Sequence, residues 1–268
     1  MKAKRFLSSF LLILTAASLT LVVNQGEVSA SSLDQGGSVT VTGRGTTDPV
    51  DPETPGEEVD PGEDNSTTGA LRFDFVSSLD FGDAKITDSN RIFYVRGQLF
   101  HSDTPARGSY IQITDERENA DGWTLQVKQN YQFRNDVVQE SSEQELTGAV
   151  LSFDKGWANA INTSKMPTVT RDTINISNIN NSYEVARAAS GNGYGTWTIE
   201  FGASGSNQND QGNTLTPLVD ETGAPIIDEL YQKQAYQNSA ISLTIPDATK
   251  IYPVQYETEL TWLLAELP

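Results

Sequence analysis

Five stretches of this chain alternate large apolar and polar residues with a period of two, and that alternation constrains the fold more than any other feature. Leu71, Phe73 and Phe75 alternate with Arg72 and Asp74, and Ile111 and Ile113 with Gln112 and Thr114. Trp123, Leu125 and Val127 alternate with Thr124, Gln126 and Lys128. Trp197, Ile199 and Phe201 alternate with Thr196, Thr198 and Glu200, and Ile241, Leu243 and Ile245 with Ser242 and Thr244. Successive side chains of a strand point to opposite faces, so each stretch reads as a strand with one buried face. A longer alternation runs over 252–264, with Tyr252, Val254, Tyr256, Thr258, Leu260, Trp262 and Leu264 on one side. Pro253 puts its start at a sheet edge or a strand beginning. No long stripe of period 3.6 appears; only 143–150 and 183–189 could each form a short helix. Turn-rich loops such as 202–213 separate the strands. The expected fold is all-β, an antiparallel β-sandwich-like domain over residues 71–268.

Two segments of different character precede that domain. Lys2, Lys4 and Arg5 lead into an apolar run over 6–23, and Val28-Ser29-Ala30 supplies small residues at the cleavage positions of an export signal. Residues 1–30 are expected to be a signal peptide; a retained membrane anchor is the alternative, disfavoured by the small-residue site and the polar chain beyond it. No other apolar stretch is long enough to span a bilayer, so no membrane span is expected after cleavage. Residues 43–70 are rich in Pro, Gly, Asp and Glu and nearly devoid of large apolar side chains. Such a stretch buries too little to offset ordering entropy, and residues 31–70 are expected to be a disordered acidic spacer, stretched by its prolines and like charges. Its carboxylates lack the loop spacing of a calcium site.

The charge narrows the partners. Against 36 acidic residues stand 18 basic ones, a net of −18. Nucleic acid is excluded as a partner, because phosphate neutralisation needs clustered Lys and Arg. Attraction to an anionic membrane is disfavoured for the same reason. Binding to any anionic polymer would rest on hydrogen bonds and stacking, or on scattered bases: Lys128, Arg134, Lys155, Lys165, Arg171 and Arg187. With no cysteine there are no disulfides, thiolate zinc sites or cysteine nucleophiles, and the core alone must hold the domain.

One local pattern occurs twice, as Gly122-Trp123-Thr124-Leu125-Gln126-Val127 and Leu260-Thr261-Trp262-Leu263-Leu264. Spacing i, i+2 puts an indole beside a branched aliphatic side chain on one strand face. Burying such side chains is worth about 1.5–3 kcal/mol each. With the acidic spacer leading into LRFDFVSSLDFGDAKI, then YIQITDERENADGWTLQV, GTWTIEFG and IYPVQYETELTWLLAELP, the chain resembles the WxL-domain cell-surface proteins of low-GC Gram-positive bacteria. The resemblance covers nearly all of 71–268; the more highly charged DERENADGW before the first motif departs from it. It implies an exported protein, retained non-covalently on the cell wall, with peptidoglycan as ligand and with other exported surface proteins or host extracellular matrix as further partners. The absence of a sortase-type LPxTG signal agrees with non-covalent attachment. Trp123, Leu125, Trp262 and Leu264 are the motif residues, either binding peptidoglycan or forming the domain; a Trp alternating with polar residues is more often core than platform. Trp157 and Tyr194, in the Gly/Asn-rich contexts DKGWANAIN and GNGYGTW, are the aromatics expected at the surface as glycan contacts.

Enzymatic readings find little support, and no catalytic residue, metal or cofactor is expected. The single histidine, His101, has Ser102 and Asp103 beside it, but chain neighbours do not form the geometry of a triad. A lone His without Cys or a spaced second His is a poor metal site. Glu116, Glu118, Glu143 and Glu145 qualify as a glycosidase pair only by being carboxylates. Asp80-Phe81-Gly82 has no phosphate-binding loop before it, and Gly191-Asn192-Gly193-Tyr194-Gly195 reads as a turn before a strand.

Overall fold

A computed structural model describes residues 30–35, 47–62, 66–119, 121–162 and 164–267. The expected signal peptide up to residue 29 and residues 36–46 of the expected spacer lie outside the described residues. The strands are β1 (Ala30–Gln35), β2 (Leu71–Val76), β3 (Ile92–Arg96), β4 (Ser109–Asp115), β5 (Trp123–Gln129), β6 (Val150–Phe153), β7 (Gly156–Asn159), β8 (Thr168–Val169), β9 (Ile174–Ile176), β10 (Ser182–Ala188), β11 (Gly195–Phe201), β12 (Leu215–Pro217), β13 (Ile227–Asp228), β14 (Lys233–Gln234), β15 (Tyr236–Thr244) and β16 (Leu260–Glu266). They pair antiparallel in three main sheets, ordered β1-β16-β5-β10-β8, β2-β4-β11-β7 and β12-β15-β6-β9, with β3 also on β15 and β13-β14 as a separate hairpin. The all-β antiparallel expectation holds, and all five short alternations are strands.

One apolar core is shared by the three sheets. Phe153 of β6 stands where they meet, its ring 5.8 Å from Trp262 of β16 in an edge-to-face pair and 5.0 Å from Phe201 of β11. Edge-to-face geometry is the favoured contact of two ring quadrupoles.

Three local expectations are corrected. Residues 183–189 are not helical: 182–188 form β10, whose buried Val185, Ala186 and Ala188 face the core. Of 143–150, only a single 3-10 turn at Ser141–Glu143 is helical. The long final strand is shorter than its alternation suggests. Residues 252–259 lie outside the strand: Tyr252 N–H donates to Tyr256 Oη at 3.0 Å, the Thr258 hydroxyl donates to the Tyr131 carbonyl, and Glu257 keeps only an isolated antiparallel bridge to Arg134.

Part of the expected acidic spacer lies among the described residues. Residues 31–35 belong to β1, which runs along the outer edge of β16 in the register Leu33↔Trp262. Residues 47–62 are ordered as a strap across the outer face of the β2-β4-β11-β7 sheet. That face carries Arg72, Asp74, Gln112, Thr114, Thr198 and Glu200, all buried, where the alternation predicted solvent. The strap's backbone satisfies the face: Gln112 accepts from Val50 N–H at 2.8 Å and donates to the Asp48 carbonyl at 3.1 Å, and Asn159 donates to the Pro52 carbonyl at 2.9 Å. The strap is ordered because its charges are matched. Arg107 holds Asp51 through two bonds of 2.8 and 2.7 Å and pairs with Glu53 at 3.3 Å, while Val59 joins Phe75, Phe100 and Tyr110 in a small second core. Composition argued for disorder by counting apolar residues; it has no means of seeing a buried arginine supplied from elsewhere.

Glu200 lies beneath the strap. It accepts from Gly108 N–H at 2.9 Å, and its other oxygen has no hydrogen-bond partner among the described residues. Burial, then the nearby Glu53 carboxylate, push its pKa well above the usual carboxylate value. A raised folded-state value means a contribution to stability fully present below the ordinary carboxylate range and lost as pH rises through the raised value. Glu200→Gln, which keeps the shape without the charge, is expected to flatten the pH dependence of the thermal midpoint above pH 5. A wild-type midpoint that fails to fall more steeply than the variant's over that range would contradict this.

Candidate functional site

The paired motifs meet in space. β5 and β16 are antiparallel neighbours in a register that sets Leu125 opposite Leu264, Val127 opposite Trp262 and Trp123 opposite Glu266. Trp123, Leu125, Trp262 and Leu264 therefore share one sheet face, and all four are at most 2% exposed. The Trp123 indole N–H donates to the Gly193 carbonyl at 3.1 Å. Gly193 has φ +71°, and a Cβ there would stand 2.7 Å from the Trp123 nitrogen, so the loop closes over the indole only because this residue has no side chain. Both motif indoles are buried, and neither leaves a ring face open to solvent.

Trp157 does not stand at the surface, where its Gly/Asn-rich context placed it. Trp157 sits on β7 opposite Glu200, is 4% exposed, and donates its indole N–H to the Gly202 carbonyl at 2.7 Å. The Gly and Asn residues around it are turns, but the short strand between them faces the strap. Tyr194 does stand at the surface, 47% exposed, in a loop tied down by Ser164 and Trp197, which both donate to its carbonyl.

A concavity lies elsewhere, a groove of about 1590 Å³ between two segments far apart in the chain. One wall is 78–86, with Leu79 and Phe81; the other is 251–260, the segment that leaves the ladder before β16. The floor is apolar, from Phe93, Phe133, Leu151, Leu243 and Ile245. Phe81 meets Phe133 edge-on at 6.1 Å, which fixes the first wall to the floor. Half-buried Tyr131, Tyr252 and Tyr256 form the rim with the carboxylates of Asp80, Asp83, Glu257 and Glu259. Two cations line it, and both are engaged: Lys85 pairs with Glu221, and Arg96 with Asp80 at 3.5 Å and Asp228 at 3.8 Å.

Tyrosine faces at the rim already accept positive charge from this chain. The Arg134 guanidinium lies 4.1 Å over the Tyr131 ring, and Lys250 Nζ lies 4.9 Å over the Tyr252 ring. Lys250 also bonds Glu143 at 2.7 Å, and the Tyr252 hydroxyl bonds the same carboxylate. Those two bonds, the lysine's first, hold Glu143 below the usual carboxylate range.

Sequence reasoning missed the groove, because 252–259 read as an uninterrupted strand and 78–90 carries no periodic pattern. The aromatic pair Tyr252 and Tyr256 around Pro253 was the available signal.

The other sequence candidates do not assemble into a catalytic site. Glu116 is bonded by Arg72 at 2.9 Å, which lowers its pKa. A glycosidase acid needs a raised value, and Glu116 and Glu143 are both shifted the other way. Exposed His101 packs beside Tyr231, ring centroids 4.8 Å apart. No group of carboxylates and His suited to a metal ion occurs among the described residues, and no described helix is long and apolar enough to cross a membrane. Several scattered bases are also engaged, Arg187 with Glu184 at 2.6 Å and Lys155 with Asp154 at 3.5 Å.

The two buried Trp-x-Leu strands, paired side by side in an all-β domain, agree with the comparison of the chain with known families. The WxL domain family, described as surface cell wall-binding, matches residues 28–268. The chain belongs to this family, and it is a wall-binding surface protein. No curated protein and no solved structure shows a significant match. The matched region takes in the strap as well as the strands that follow it.

Proposed function

We propose that this chain is exported and attaches non-covalently to peptidoglycan, and that the glycan strand lies in the groove between 78–86 and 251–260. One observation carries the reading: the motif indoles and Trp157 are buried, whereas the groove presents half-exposed tyrosine rings over a concavity. Sugar rings bind through C–H faces on aromatic rings and through hydrogen bonds at the rim, which is what this lining offers. The groove is continuous with the second motif, since Leu260 both lines it and begins β16. The motifs then act by positioning the 251–260 wall. The function is binding without catalysis.

Sedimentation of the protein with peptidoglycan stripped of proteins and teichoic acids tests this. Wild type is expected in the pellet, and Tyr256→Ala in the supernatant with its circular dichroism unchanged. A Tyr256→Ala variant that still pellets would move the site away from the groove. Wild type remaining in solution would remove direct wall binding and leave retention to a protein partner.

A further inference from the structure

We propose that the groove selects glycan bearing free amino groups, that is, strands in which part of the amino sugar is not N-acetylated. This rests on the reading of the groove as the glycan site and names the chemistry it prefers. Charge complementarity is the first argument. Asp83, Glu257 and Glu259 line the groove with no cation in ion-pairing distance among the described residues, while its two lining cations are spent on Asp80, Asp228 and Glu221. A neutral N-acetyl group gains nothing from such a rim; a primary ammonium does.

The stacking surface left open is the second argument. Arg134 and Lys250 already lie over Tyr131 and Tyr252, which leaves Tyr256 as the rim tyrosine whose ring carries no cation of the chain among the described residues. An amino sugar presents both partners at once, an apolar C–H face for a tyrosine and an ammonium within reach of Glu257 or Glu259. The net charge of −18 acts in the same direction by repelling phosphate-bearing wall polymers.

The test uses two soluble probes of equal length, oligomers of glucosamine and of N-acetylglucosamine, titrated against the purified protein at low and high salt. The glucosamine oligomer is expected to bind roughly fivefold or more tighter at low salt, as one or two partly screened charge pairs would give, and to lose that advantage at high salt. Glu257→Gln with Glu259→Gln, two substitutions at solvent-accessible positions, is expected to equalise the probes without changing the melting temperature. Equal binding by wild type, or a preference for the N-acetylated oligomer, overturns the amine preference and leaves the groove as a glycan site. Failure of both oligomers to bind overturns the amine preference together with the groove reading. A preference that survives in the double variant places the amine away from these carboxylates and overturns the assignment.

Discussion

Replacing Arg107 with methionine is expected to destabilise the domain by about 3–5 kcal/mol, the usual cost of removing one partner of a buried charge cluster. Arg107 is the one base among Asp51, Glu53 and Glu200, and its side chain is 7% exposed. Burial opposes its charge, while the bonds from Asp51 and the fields of all three carboxylates favour it, and the net effect is a raised pKa. Without it, two carboxylates of the strap face Glu200 beneath them with no counter-charge. The strap should lift, and 47–62 should become the first site of limited proteolysis. Adding Asp51→Asn and Glu53→Gln to Arg107→Met should restore part of the loss, because the penalty lies in the orphaned charges. A urea midpoint unchanged in the single variant would show that the strap is held by its backbone bonds and Val59 alone.

Trp262→Ala is expected to cost a similar amount, about 3–5 kcal/mol, through lost burial and the cavity left behind. Its ring is 2% exposed, packs edge-on to Phe153 at 5.8 Å, and lies across from Val127. Its indole N–H has no hydrogen-bond partner among the described residues, so Trp262→Phe removes an unsatisfied donor with part of the volume and should cost clearly less. Wall binding by Trp262→Ala should fall in proportion to unfolding, whereas Tyr256→Ala should abolish binding in a folded protein. A stable Trp262→Ala variant with lost binding would reverse these assignments and make the indole a contact.

Much of the fold was legible from local pattern. The five short alternations are strands because period two is a property of the backbone, readable wherever one face is buried. The Trp-x-Leu pairs were legible as sheet-forming units for the same reason. Residues 183–189 misled because small residues such as Ala186, Ala188 and Ala189 suit a helix as well as the crowded face of β10. Trp157 misled because flanking Gly and Asn signal turns, and turns say nothing about what covers the strand between them.

The all-β class, the strand faces and the two motifs could be read from the chain alone, since these follow from side-chain periodicity and the chemistry of each residue. Its acidity also argues against nucleic acid as a partner, since net charge is additive along the chain. Only the tertiary structure decided that the motifs lie side by side, that the acidic segment is a strap, and that the groove exists. Each joins segments far apart in sequence: Leu125 with Leu264, Asp51 with Arg107, Phe81 with the wall around Tyr256. Whether a carboxylate is solvated or buried against a guanidinium, and whether an indole is a platform or a core, depends on the partner brought to it. Local pattern sets which face a side chain takes, and long-range packing sets what it meets there.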